Sequence, residues 1–165
     1  MVPMKETHDG NKLKCDGDVP TEDTDISGPA HGKGCCPGQT GHHMLPGAMF
    51  KKCGAYQSMG AGGCPHQNAP TVCVEGVNNA HGTHGAIHRQ LDKQLTNNYP
   101  NGMTVDQAVD EGADSVRSTF PESGCSKKCL KAQLHHFYDK FKGCEPLQST
   151  PGMPGGSNGE GGKQA

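Results

Sequence analysis

Gly41-His42-His43-Met44-Leu45-Pro46 and, further along, Asn78-Asn79-Ala80-His81-Gly82-Thr83-His84-Gly85-Ala86-Ile87-His88 hold five of the chain's ten histidines. The second stretch carries the decisive spacing. His84, Ile87, His88, Leu91 and Leu95 recur at intervals of three and four, which predicts one face of a helix beginning near Thr83. His84 and His88 then leave that helix on the same side, one turn apart, close enough to hold one cation. A third ligand has to come from elsewhere, and the His42-His43 pair is the obvious donor. Three imidazoles leave a coordination position open to water or a substrate oxygen, the arrangement of catalytic rather than closed structural sites. The adjacent histidine is then available to take a proton from water, a task suited to a pKa near neutrality. The competing reading is that His84 and His88, on the apolar side of their helix, are hydrogen-bonded core imidazoles. His81 is a second-choice ligand because it precedes the helix, and His135-His136 falls on polar and boundary positions of a later one.

Composition bounds what can surround such a site. Val, Leu, Ile and Phe supply only 21 of 165 residues, beside 25 Gly and 12 Pro. That is little material for a core, and small cores need help from metals, disulfides or partners. A net charge of -2 does not support disorder driven by high charge. These features predict one small domain with ragged ends: a linker or tail over residues 1–34, a folded part over 35–148 and a flexible tail over 149–165. Residues 1–34 carry seven acids against four lysines, and the end is rich in Gly and Pro. No run of apolar residues is long enough for a membrane span. The start, MVPMKETHDGNKLK, lacks the apolar centre of a secretory signal.

Within the folded part, residues 35–70 read as a Gly/Cys/Pro-rich loop region in which Met44, Leu45, Met49 and Phe50 are the apolar group. Thr71-Val72-Cys73-Val74-Glu75-Gly76-Val77 is the best strand candidate. After the helix that begins near Thr83, a second is expected from Thr104 to Phe120. Gln107 completes its capping box, Gly112 weakens its middle and Pro121 stops it. A third runs from about Ser126 to Lys142, with Gly143 as its C-cap. Short strands followed by three helices make a small α+β domain.

Nine cysteines cannot all pair internally. Bridges tying the loops of 35–73 to the helical part suit a region with so little apolar material. A structural zinc site using Cys125 and Cys129 is an alternative, without a Cys-x2-Cys pair to support it. No local pattern resembles a thiol-protease motif.

Gly41-His42-His43-Met44-Leu45-Pro46, VCVEGVNNAHGTHGAIH at 73–88 and CSKKCLKAQLHHFY at 125–138 come in the order found in one family. Over residues 35–145 the chain resembles the GHH-type toxin nucleases of the HNH/endonuclease VII superfamily. The similarity is to the second GHH group, found in bacterial polymorphic toxins and type VI secretion effectors. The resemblance implies a ββα-metal (His-Me finger) core, a β-hairpin and helix around one divalent cation, with extra helices and cysteine-rich loops. It implies His42, His84 and His88 as metal ligands and His43 as general base, with the two roles inside the His42-His43 pair set by analogy and reversible. It implies Asn79, with Asn78 as second choice, as the residue that orients the base or braces the loop. It implies an antibacterial endonuclease, a DNase foremost, delivered without a signal peptide by secretion machinery through upstream domains. It would act in the target cell's cytoplasm and be countered by a cognate immunity protein. An RNase of the same fold, or a non-catalytic binding module held by zinc or disulfides, are the alternatives.

Imidazole ligands suit Zn, Ni, Co or Mn, whereas Mg prefers oxygens, so cation identity among Zn, Ni, Mn and Mg stays open. The chain departs from a strong nucleic-acid binder in its charge and in having only two arginines, Arg89 and Arg117. Arg89, directly after His88, is the phosphate-contact candidate. Five lysines against two acids over 125–145 suggest a second phosphate-binding surface or a solvated helix face.

Overall fold

The computed structural model describes residues 1–3, 39–56, 68–76 and 81–149. An antiparallel sheet has the strand order β1 (Val2–Pro3), β3 (Pro70–Glu75), β2 (Gln39–His43). β3 forms where the β-branched run predicts it, and it ends at Glu75 rather than at Val77. Gly76 follows with φ 135°, a conformation that breaks the ladder and that glycine adopts without penalty. β2 lies inside the stretch expected to be loop. Gln-Thr-Gly-His-His shows no apolar alternation; pairing with β3 makes it a strand, with Thr40 opposite Val74 and His42 opposite Val72. β1 pairs Val2 with Thr71, so the chain's first residues add an edge strand to the sheet, while the rest of the linker expected over 1–34 lies outside the described residues.

Helix α1 (Gly82–Asn98) follows β3 and is pinned to it at once. Thr83 Oγ1 accepts from the Glu75 N–H at 2.8 Å and donates to the Glu75 carbonyl at 3.1 Å. Gly82 has φ 61°, and a Cβ there would come within 2.7 Å of the Glu75 oxygen, so this approach needs glycine. β2, β3 and α1 together form a ββα unit, and the α+β class is as expected.

Helix α2 (Val105–Thr119) carries the expected capping box between Thr104 and Gln107. Gly112, expected only to weaken it, has a packing role. A Cβ there would lie 2.9 Å from Leu45 Cδ2 and 3.0 Å from the Met44 carbonyl oxygen. The chain leaving His43 therefore crosses α2 at the one position without a side chain. Glu111 of α2 ties back to α1, accepting from Gln94 and from Asn98, the latter at 2.9 Å.

Helix α3 (Lys127–Tyr138) starts under the Ser126 N-cap, as expected, and ends four residues before Lys142. Asp139–Cys144 tightens into a 3-10 helix, and Gly143 lies within it rather than capping α3. In that tighter form residues three apart eclipse. Tyr138 and Phe141 both reach Phe50, with ring centroids 5.4 and 5.9 Å away, and Phe50 stacks on Tyr56 at 4.4 Å. The Cys53–Cys144 disulfide closes this corner and joins the loop region to the helical part, as the cysteine reading favoured. Cys73 is also disulfide-bonded. Cys125 and Cys129 are exposed free thiols, and no candidate metal cluster among the described residues includes a cysteine.

The scarce apolar residues are spent in one place. Met44, Leu45, Met49 and Phe50 are at most 1% exposed and pack with Ile87, Leu91 and Leu95 of α1, Val105 and Val109 of α2, and Leu134 of α3. Among the described residues, no helix is long and apolar enough to cross a membrane.

Candidate metal centre

Two elements build the centre. On β2, residues two apart share a face, so Thr40 and His42 point the same way. On α1, His84 and His88 are one turn apart on the buried face. Both pairs are buried, with His42 fully so. The sheet and helix bring the imidazoles of His42, His84 and His88 together, each offering one ligand atom within 4.8 Å of the others. His42 Nδ1 lies 3.3 Å from His88 Nε2. The His84 and His88 rings lie nearly parallel, with centroids 5.0 Å apart, and His42 meets both edge-on.

The electrostatics follow from burial. Desolvation first, and then the nearby His88, His84 and His43, hold His42 well below the usual imidazole value of 6.5. Burial brings His84 down to about 4. Burial and then His84 bring His88 down to about 3. All three are therefore neutral at physiological pH, with lone pairs available. The outer nitrogens, His42 Nε2 and His88 Nδ1, are buried and have no hydrogen-bond partner among the described residues, while His42 Nδ1 and His88 Nε2 face each other. Two nitrogens on one tetrahedral cation at about 2.0–2.1 Å are about 3.3 Å apart, which is the spacing of the His42–His88 pair. Donor type, protonation state and spacing all suit a divalent transition metal.

The remaining sequence candidates are placed as follows. His43, next along β2, is partly exposed and outside the three-histidine cluster. Arg89 is exposed beside buried His88. Asn79 and Asn78 lie outside the described residues. His81 is exposed at the N-cap of α1. His135 bonds to Asp139 at 2.8 Å, and His136 belongs to no candidate metal grouping among the described residues. A second grouping, Asp106 with His135 and Asp139, is already served by a cation, since Lys142 Nζ lies 3.0 Å from Asp106.

Three of the five lysines in 125–145, Lys127, Lys131 and Lys142, are ion-paired. Lys127 bonds Asp110 and Asp114 at 3.0 and 2.8 Å, and Lys131 bonds Asp110 at 2.7 Å. Lys140 sits over the Phe137 ring. Acids of α2 thus occupy Lys127 and Lys131, and Lys142 pairs with Asp106 and Asp139, so the phosphate-surface reading of this segment keeps only Lys128 and Lys140 without an ion pair among the described residues. Lys51, Lys52 and Arg89 are exposed and make no ion pair among the described residues.

Sequence reasoning missed one residue of the centre. Thr40 Oγ1 lies 2.7 Å from His84 Nδ1. Its signal, a hydroxyl two residues before His42, has meaning only once residues 39–43 are known to be a strand.

The chain is 32% identical over 135 residues to DNase toxin Tse7 of Pseudomonas aeruginosa, a match covering 71% of this chain and 34% of that protein. The chain thus spans about a third of the length of the curated relative it matches. No solved structure matches. Residues 39–138, from the first residue of β2 to the last of α3, match the model of a nuclease toxin family. With its GHH signature on β2 and its buried histidines on α1, the chain belongs to that family, the GHH signature containing HNH/Endo VII superfamily nuclease toxin 2.

Proposed function

We propose that this chain is the toxin part of an antibacterial endonuclease that hydrolyses phosphodiester bonds of DNA at a single divalent cation. The observation that carries the reading is the buried cluster of three neutral imidazoles from β2 and α1, in a chain of a nuclease toxin family. DNA is the substrate favoured over RNA because the matched relative is a DNase toxin.

His42, His84 and His88 would hold the cation. When bound, it supplies Lewis-acid polarisation of the scissile phosphate and charge neutralisation at the leaving 3′-oxygen. His43 is the general base. Of the adjacent pair it is the one outside the cluster and partly exposed, which makes it the member to take a proton from the attacking water. The water oxygen bonds to phosphorus, the bond from phosphorus to the 3′-oxygen breaks, and the 3′-oxygen acquires a proton from solvent. Asn79 orients the base, and Arg89 contacts a phosphate from the exposed side of α1. A toxin of this kind acts in the cytoplasm of a competitor after delivery by secretion machinery through upstream domains. Its producer carries a cognate immunity protein.

Parallel digestion of supercoiled plasmid and total RNA tests the reading. Wild type and His43→Ala are stripped with EDTA and resupplied separately with Mg, Mn, Ni or Zn. Metal-restored nicking of plasmid by wild type alone is expected. Cleavage of RNA without plasmid would make the chain an RNase of the same fold. Failure on both by folded, metal-loaded protein would leave a non-catalytic binding module.

A further inference from the structure

A hydroxyl has one hydrogen to give, and a neutral imidazole has one N–H. That inventory fixes the proton positions around Thr40. Thr40 Oγ1 lies 2.9 Å from the Gly76 carbonyl oxygen and 2.7 Å from His84 Nδ1. A carbonyl only accepts, so the hydroxyl hydrogen goes to Gly76. Towards His84 the same oxygen must accept, and Nδ1 must carry the proton. Nε2 is then the nitrogen left with a lone pair.

We propose that Thr40 is a positioning residue: its buried hydroxyl, anchored on Gly76, holds His84 in the Nδ1-protonated tautomer and so reserves Nε2 for the cation. The proposal rests on the metal-centre reading above and adds a residue to it. Thr40 is only 6% exposed, so water does not compete for the bond. It lies on the same face of β2 as His42, so one strand supplies both a ligand and the group that orients another ligand. The anchor is equally specific, because Gly76 is the residue at which β3 breaks before α1. A neutral histidine in water favours the opposite tautomer, which would turn an N–H, not a lone pair, towards the cation. Outer partners that fix the tautomer of a ligating histidine generally matter 10–100-fold to metal affinity.

The test uses Thr40→Val, which keeps the shape and removes the hydroxyl, beside Thr40→Ser, which keeps the hydroxyl. Zinc and nickel affinities are measured by competition with a chromophoric chelator. Imidazole nitrogen shifts of His84 are read by NMR in the metal-free, 15N-labelled protein at pH 7.5. The expected result is a metal affinity about 10–100-fold weaker in Thr40→Val and close to wild type in Thr40→Ser. His84 should be protonated on Nδ1 in wild type and Thr40→Ser, and should shift towards Nε2–H in Thr40→Val. A structural role alone would lower stability without moving the tautomer. Wild-type affinity in Thr40→Val, or an Nε2–H signature in wild type, overturns the proposal. If wild type binds neither cation, the metal-centre reading fails and the proposal with it; if wild type binds and Thr40→Val binds equally, only the proposal fails. Should Thr40→Val not fold, loss of metal binding by Thr40→Ser, or the wild-type tautomer, still decides against it.

Discussion

His42 Nδ1 and His88 Nε2 lie 3.3 Å apart although 46 residues separate them in the chain. One comes from a sheet strand and the other from the helix packed on it, so their closeness measures how accurately the ββα unit is set. Loss of either ring should therefore act on the cation directly, whereas loss of His43 should act on chemistry.

His88→Ala is expected to weaken zinc or nickel binding by more than the 10–100-fold typical of outer-shell changes, and to abolish cleavage with it. His43→Ala should bind metal nearly as wild type while cleaving about 10²–10⁴-fold more slowly. Chelator competition and single-turnover cleavage on the same samples check the split. A His43→Ala enzyme at full rate would reverse the assignment of the base.

Arg89 and Lys131 provide a contrast of charge in two settings. Lys131 is held by Asp110 and should be silent, whereas Arg89 is exposed and without an ion pair among the described residues. Arg89→Ala should weaken DNA binding across sequences and reduce the slope of log affinity against log salt by about 0.9. Lys131→Ala should leave both unchanged. Binding isotherms with metal-stripped His43→Ala protein at several salt concentrations read this directly.

The buried histidines make the metal-free protein sensitive to mild acid. Burial lowers His42, and brings His84 to about 4 and His88 to about 3, against 6.5 in the unfolded chain. Below pH 6.5 the unfolded chain therefore takes up protons first, and stability falls as pH drops towards 4. Above 6.5 this contribution is fully present and flat. Urea midpoints of EDTA-treated protein at pH 7.5, 6.5, 5.5 and 5.0 isolate the effect, since ordinary carboxylates stay largely ionised there. A midpoint unchanged from 7.5 to 5.0 would count against the buried cluster.

Gly112→Ala should be destabilising although alanine is the better helix former. The added methyl meets the Met44 carbonyl at 3.0 Å, and backbone cannot swing aside as a side chain can. Overpacking of this kind costs roughly 1–3 kcal/mol, outweighing the roughly 1 kcal/mol gained in helix propensity. Because Met44 directly follows His43, cleavage should fall too. Denaturant melts and activity of the same variant test both effects.

Cys53→Ala with Cys144→Ala opens a bridge spanning 91 residues of sequence. Closing a loop of that length is worth about 4–5 kcal/mol in the chain-entropy model, and native bridges typically measure 2–5. The double variant should lose stability of that order. The Phe50, Tyr56, Tyr138 and Phe141 cluster beside the bridge should still hold the corner at low temperature. Urea unfolding of oxidised wild type, reduced wild type and the variant gives the comparison.

What sequence alone determined was local. The i, i+4 pair His84 and His88 specifies a helix face, Thr104 with Gln107 specifies a helix start, and β-branched residues specify β3; each depends only on neighbours in the chain. The clustering of three histidines was legible because His84 and His88 share that periodicity and because the family motif points to His42. Tertiary structure alone decided the rest. Gln39–His43 is a strand only because β3 offers its backbone hydrogen bonds, so Thr40 could not be read as sharing a face with His42. Gly112 looked like a weak point until Met44 and Leu45 were found lying across it. Lys127 and Lys131 looked like part of a phosphate surface until the acids of α2 were found beside them. In each case the deciding partner is remote in sequence, and a polar or small residue carries no periodic signal of what it will face.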